Sequence, residues 1–328
     1  MGKVQPPKTL TEQIGVTQGN SDLEFTSTHL PSHVGNSLKI GYGGGTAGVA
    51  VHAAFKTVPE SMKVYSVAGY FLGPTFTDFP LYCQVHPVRD TKTFATRRVL
   101  VTQKLADGKV RSCMELIADF QQKEPASVYE YSVKPRRNYK PPTEIPTFAE
   151  MADNFVQSGK VSAQRVAQMM PGFAVMAKFV DTRHCPEGVS GQNMMGYAKT
   201  AATDQDSLPM TEKFMAEWVQ TIQKLTTPGD RLAALVFYMD AGLSFTPLVF
   251  DHKFLDDVGA CSTLDFTLRV FADDIDLSEW HVRERMTIAA SEGRTYSEGK
   301  LFDASGRLVA IESQQSIMRP LPPKKSVL

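Results

Sequence analysis

Cysteine is scarce in this chain, with four residues in 328 (Cys83, Cys113, Cys185 and Cys261) and no CxxC pair. So few thiols in so long a chain exclude a disulfide scaffold, and reduced core cysteines are expected. The seven histidines, at 29, 33, 52, 86, 184, 252 and 281, are scattered along the sequence, and no metal site is expected. A surplus of either charge is missing too, because 35 Lys and Arg are cancelled by 35 Asp and Glu. Without a basic excess to release counterions or hold anionic lipid, neither nucleic acid nor a membrane is expected as a partner. No apolar run approaches the roughly 18–20 residues of a membrane span. The start, MGKVQPPKTLTEQ, lacks the apolar stretch of a signal peptide, and Pro6 stands where a myristoylation signal wants Ser or Thr. A cytoplasmic or peroxisomal protein is expected, although the ending Ser326-Val327-Leu328 lacks the basic middle residue of a good peroxisomal signal.

What is present is an ordinary globular composition, 42% hydrophobic and 21% charged, long enough for two domains. Residues 43–58, GGGTAGVAVHAAFKTV, begin with three glycines and continue with apolar positions at helical spacing, closed by Pro59. The glycines predict a tight turn feeding a helix. Segments rich in β-branched and aromatic residues follow at 64–72, 81–89, 94–104 and 110–120, with Asp107-Gly108 as a hairpin signal. The second half repeats the order: an apolar helical stretch at 229–245, then strand-like segments at 261–271, 279–289, 294–302 and 308–318. Ser305-Gly306 occupies the matching turn, and Gln121-Gln122 is read as the counterpart of Gln314-Gln315. One helix followed by four strands, twice, predicts an α+β duplication in which each antiparallel sheet wraps one helix. The expected division is a first domain over 1–135, a linker over 136–168 and a second domain over 169–328. Four prolines between 134 and 147 mark the junction between the halves, and a polar loop insertion lies near 184–212.

The sequence resembles the type II acyl-CoA thioesterases, which consist of two fused hot-dog domains. The resemblance runs from about residue 40 to 320 and is carried by GGGTAGVAVHAA, YFLGP, RDTKTFATRRV, FYMDAG, STLDFTLRVF, LSEWHV, EGKLFDASGRLVA and ESQQSIMR. It implies a tandem hot-dog fold with the two sheets joined back to back, and hydrolysis of an acyl-CoA or acyl-carrier thioester. It also implies that an Asp, a Thr and a Gln hold the attacking water, which falls motif by motif on Asp240, Thr263 and Gln314. No cofactor is implied beyond the coenzyme A of the substrate, and a homo-oligomer is left open.

The residues themselves support this chemistry. Thioester hydrolysis needs a held water, a proton acceptor and donors for the developing oxyanion. Asp240, in the apolar stretch LAALVFYMDAGL, would gain basicity from desolvation. Strict alternation would put Thr263 on one strand face with Asp265 and Thr267, opposite Leu264, Phe266 and Leu268. Gln314 can donate and accept at once. Plainer readings stand beside these: Asp240 ending a helix, Thr263 as an ordinary strand threonine, Gln314 as a solvent-facing neighbour of Gln315. Gly43, Gly44 and Gly45 either form only a turn or offer backbone N–H groups to a thioester carbonyl or phosphate. Arg97 and Arg98 either meet the phosphates of coenzyme A or belong to a solvated strand face.

There are departures from the family pattern. Ala68-Gly69 precedes Tyr70 where the family has His, and Asp265-Phe266-Thr267 replaces Asp-His-Ser. These suit a branch adapted to an unusual acyl group, such as a biosynthetic product. The alternatives are a hot-dog hydratase or dehydratase, whose His–Asp pair neither helix is expected to offer because no Asp accompanies His52, and a non-catalytic acyl-binding protein.

Overall fold

The computed structural model describes residues 6–35, 39–272 and 274–322, so the C-terminal tripeptide lies outside the described residues. In chain order the first half contains α1 (Leu10–Ile14), β1 (Val16–Gln18), β2 (Glu24–Ser27), α2 (Gly43–Phe55), β3 (Met62–Phe71), β4 (Tyr82–Asp90), β5 (Phe94–Lys104) and β6 (Val110–Gln122). Two helices follow, α3 (Phe148–Gln157) and α4 (Ala163–Phe179). The second half contains β7 (Val180–His184), α5 (Val189–Gln192), β8 (Met215–Thr221), α6 (Pro228–Met239), α7 (Thr246–Phe250), β9 (Ala260–Val270), β10 (His281–Ser291), β11 (Arg294–Asp303) and β12 (Leu308–Arg319).

All the strands form one antiparallel sheet in the order β1-β2-β4-β5-β6-β3-β9-β12-β11-β10-β8-β7. Read from its centre outward, each side has the same order, with α2 and α6 as the matching central helices. Each half thus wraps its sheet around one long helix, as the tandem hot-dog reading expected. The halves do not meet back to back. They join edge to edge, β3 pairing with β9 from Ser66↔Arg269 to Tyr70↔Asp265, so the sheet is continuous and the two helices pack on each other beneath it. Edge pairing gives the backbone groups of both central strands a partner, which packed faces would not. Each helix is also preceded by two short strands, β1–β2 and β7–β8, that the sequence reading left unassigned. Their three to seven residues carry too little periodicity to stand out.

The duplication is written into the irregularities of the sheet. Register shifts fall at Tyr65 between β3 and β6 and at Leu264 between β9 and β12. They fall at Val88 between β4 and β5 and at Ile288 between β10 and β11. They fall again at Cys113 and at Val309 in the pairs β5–β6 and β11–β12. A β-bulge adds one residue and bends its strand, so bulges repeated at matching places fix the alignment of the halves. Gln314 pairs across β12 with Phe266, two rungs from its bulge. The corresponding residue of β6, paired with Val67, is Ala118. The expected counterpart pair Gln121-Gln122 is therefore three residues out of register.

The stretch 136–168, expected as a linker, first runs along the outer face of the second half. Glu284 accepts from the Arg136 N–H (2.6 Å) and the Tyr139 hydroxyl (2.7 Å), and Trp218 Nε1 donates to the Lys140 carbonyl (2.8 Å). Its end is folded: Met151, Ala152 and Phe155 of α3 are buried with Met169, Met194 and Ala198. Residues 184–212 connect β7 to β8 and carry α5. Among the described residues no helix is long and apolar enough to cross a membrane.

Candidate active site

The three residues implied for water binding come together where α6 ends and α2 begins. Asp240 is the C-cap of α6 and is buried. Gln314, on the inward face of β12, donates from Nε2 to Asp240 Oδ1 at 2.7 Å and to Glu312 Oε1 at 2.8 Å. Its Oε1 accepts from the Thr263 hydroxyl at 3.2 Å. Two carboxyl acceptors on one side and a hydroxyl donor on the other leave a single consistent orientation for the Gln314 amide.

Thr263 reaches this face through the bulge at Leu264. Strict alternation would have placed it with Asp265 and Thr267, away from Phe266 and Leu268. The extra residue reverses that, so Thr263 shares the inward face with the buried Phe266 and Leu268.

The three glycines open helix α2 rather than forming a turn ahead of it. The Gly44 N–H lies beside Asp240 and favours its ionised form. At Gly44 a Cβ would lie 2.5 Å from the Phe237 carbonyl oxygen, so no other residue lets α2 and α6 approach this closely. The Tyr42 hydroxyl fastens the same junction, donating to the Phe237 carbonyl at 2.7 Å. The site thus lies between the positive end of one helix and the last residue of the other.

Asp240 is electrostatically poised. Burial pushes its carboxyl up to about 6, against the Gly44 N–H, Gln314 and the Arg283 charge, which favour the ionised form. Beside it, fully buried Glu312 is held well above the usual carboxylate range by burial and by the Asp240 charge. One member of this carboxyl pair is therefore neutral when the other is ionised.

Sequence reasoning missed the group that secures the helix end. Arg283 of β10 donates to the carbonyls of Tyr238 (2.9 Å), Met239 (3.1 Å) and Ala241 (2.8 Å), capping the open C-terminal turn that carries Asp240. Glu217 of β8 pairs with Arg283 at 2.7 Å and with Arg285 at 2.8 Å, all three buried. Burial opposes the Glu217 charge, but Arg285 and Arg283 outweigh it and hold its carboxyl down at about 2. The signal was a pair of arginines two apart in a strand, Arg283 and Arg285, which places both on one face.

The two departures from the family pattern meet across the β3–β9 seam. Gly69 pairs with Phe266, and a Cβ at Gly69 would fall 2.5 Å from the Phe266 ring. Phe266 needs a glycine opposite, so the two changes form one adaptation of the wall beside Gln314. Phe71 extends that wall, with its ring centroid 6.2 Å from that of Phe266.

Arg97 and Arg98 are not at this site. Arg97 is buried, pairs with Asp90 at 2.7 Å and donates to the Thr57 carbonyl at 3.0 Å, tying β5 to the end of α2. Arg98 lies on the outer face near Glu115, at 3.5 Å. His52 does acquire an Asp, from the other helix: Asp230 of α6 approaches its Nε2 to 4.0 Å. This pair sits at the opposite end of the two helices from Asp240. Asp230 is engaged by the Thr227 hydroxyl (2.6 Å) and His52 Nδ1 faces the Ile14 carbonyl (3.1 Å), so both serve helix packing. His29 and His33, four apart, flank Pro31 outside any helix. No group of three His, Cys, Asp or Glu among the described residues is arranged to hold a metal ion.

With this geometry in view, the family profile "Acyl-CoA thioesterase N-terminal domain" matches residues 33–121, and "Acyl-CoA thioesterase C-terminal domain" matches residues 179–318. Acyl-CoA thioesterase 2 of Haemophilus influenzae is 23% identical over 285 residues, covering 85% of this chain and 87% of that protein. A crystal structure of an acyl-CoA thioesterase II from Mycobacterium marinum superposes with a TM-score of 0.65 at 20% identity, covering 95% of this chain and 99% of that one. A hot-dog-fold protein of unknown function from Alicyclobacillus acidocaldarius gives a TM-score of 0.65 at 16% identity, covering 95% and 98%.

Proposed function

The chain belongs to the acyl-CoA thioesterase family and is a thioester hydrolase, and we propose that it cleaves acyl-CoA through a water held by Asp240, Thr263 and Gln314. The observation that carries this assignment is the hydrogen-bonded line Thr263–Gln314–Asp240, set against the first turn of α2. Asp240 in its carboxylate form takes a proton from the water as the water oxygen attacks the thioester carbonyl. The C–S bond then breaks, the coenzyme A sulfur leaves as thiolate, and the proton held by Asp240 returns to it. Thr263 and Gln314 fix the water and the carboxylate in one geometry, which removes orientational freedom before the reaction. First-turn N–H groups of α2, which a helix leaves without internal partners, meet the negative charge developing on the carbonyl oxygen in this reading. No covalent enzyme intermediate is required.

The test is release of free thiol from a panel of acyl-CoA and acyl-carrier thioesters, with EDTA in the buffer. Turnover of at least one thioester is expected, together with its loss in Asp240→Asn. A well-folded Asp240→Asn protein that keeps full turnover would remove Asp240 from the mechanism.

A further inference from the structure

We propose that the protein takes an acyl group bearing its own hydrogen-bonding oxygen, a hydroxyl or keto substituent near the thioester, recognised by Thr295, Ser297, Ser316 and Glu312. The proposal rests on the thioesterase reading and names its substrate class.

Four side-chain oxygens next to the site find no partner within the protein: Thr295 Oγ1, Ser297 Oγ, Ser316 Oγ and Glu312 Oε2. Their side chains are nearly sealed from solvent, at 5%, 1%, 1% and 0% exposure. They are contiguous. Ser297 lies directly across from Gln314, Thr295 across from Ser316, and Ser316 across from Thr263. With strands about 4.8 Å apart, this row begins beside the water-holding residues and runs one strand further into the second half.

Isolated unmet polar atoms occur in native proteins, but each asks for an explanation, and four in adjacent positions ask for a common one. Hydroxyls that reach the interior have given up water, and they regain that loss only from a partner brought to them. The set is also chemically matched. Ser and Thr hydroxyls donate or accept. The Oε1 of Glu312 accepts from Gln314, while its Oε2 has no partner in the protein, on the same face of β12 as Ser316. A hydroxyl or keto oxygen on the acyl chain satisfies such a set, whereas a plain hydrocarbon chain leaves all four oxygens unmet.

The experiment compares a straight-chain acyl-CoA with its β-hydroxy and β-keto analogues of equal length. It measures kcat/KM for hydrolysis and, separately, the affinity of the corresponding non-hydrolysable thioether analogues by calorimetry. An oxygenated chain is expected to lead by at least about tenfold in both, since a site built to hydrogen-bond a substrate oxygen discriminates against its absence. In Ser297→Ala and Thr295→Val the ratio is expected to fall toward one. Equal affinities for plain and oxygenated analogues in the wild-type protein would overturn the proposal and mean that bound water alone meets these hydroxyls. Absence of hydrolysis with the affinity ratio intact would sink the thioesterase reading and leave the recognition by these four oxygens standing.

Discussion

The two halves share one backbone plan and fill it in opposite ways. Aligned by their bulges, Thr263, Gln314, Glu312, Ser316 and Thr295 of the second half stand where the first has Val64, Ala118, Leu116, Phe120 and Ala95. The charged trio Glu217, Arg283 and Arg285 stands where the first half has Phe25, Cys83 and Val85. Asp240 and Lys56 are the C-caps of the two central helices. At the positions of Thr263, Gln314, Glu312, Ser316 and Thr295 the first half carries hydrocarbon side chains. Burying charges and hydroxyls in the other copy therefore costs stability that the architecture does not require. Where the second half has Ser297 the first has buried Arg97, whose charge is spent on Asp90, so the hydroxyls left without a protein partner at these positions are confined to the second half, which supports the proposed site there.

The sharpest way to break this contrast is to exchange the helix caps. Asp240→Asn keeps the shape and removes the proton acceptor, so turnover is expected to fall by roughly 10²–10⁴, the range for a positioned base. Lys56→Gln, at the exposed equivalent position, is expected to leave turnover and melting temperature unchanged. Comparable losses in both variants, measured by thiol release, would show that the halves are functionally alike.

The next contrast is the buried charge cluster. Arg283→Met leaves Glu217 with Arg285 alone and uncaps α6. Breaking a buried pair from one side typically costs about 3–5 kcal/mol, so a large fall in melting temperature is expected. Cys83→Ser at the matching place of the first half is expected to cost far less, because no charge there depends on it. Chemical denaturation of both variants measures the difference.

The pH dependence follows from the same asymmetry. With Asp240 as the proposed base, its carboxyl pushed up to about 6 by burial, kcat/KM is expected to drop toward tenfold per unit below that pH. The stability effect runs the other way. A carboxyl whose pKa is raised by folding penalises the folded state as it ionises, so its contribution is most favourable below the unfolded value and declines as pH rises through about 6. Asp240→Asn should therefore match the wild type in stability near pH 4 and equal or exceed it at pH 8. An acid limb that stays put in Asp240→Asn would assign it to another group.

Much of this was legible in the sequence, and what was not has physical causes. The eight long strands and both central helices fall where periodicity, glycine and hairpin signals put them, because each is long enough to show its repeat. The trio proposed to hold water came from resemblance, since an Asp, a Thr and a Gln 23 and 51 residues apart carry no local pattern. Bulges defeated the rest. Alternation assigned Thr263 to the wrong face, and hairpin ends suggested the wrong partner for Gln314, because one inserted residue reverses every later side chain. The Glu217–Arg283–Arg285 cluster and the His52–Asp230 approach are non-local, and charge counting is blind to them.

The smallest expected effect tests the four unmet oxygens through stability alone. Thr295→Val keeps the shape of the side chain and removes a buried hydroxyl that has no partner in the protein. An unsatisfied buried polar atom costs about 1–3 kcal/mol, part of which solvent entering the site recovers. The variant is therefore expected to gain up to about 1 kcal/mol, a rise of a few degrees at most in melting temperature for a chain of this size. The reverse change, Ala95→Thr, places the same hydroxyl in the sealed first half and is expected to lower the melting temperature. Opposite signs for one chemical group at two equivalent positions would locate the vacated hydrogen bonding in the second half. If a non-hydrolysable β-hydroxyacyl analogue, added in excess, turns the gain of Thr295→Val into a deficit, then the hydroxyl lost from the free protein is the one that holds the ligand.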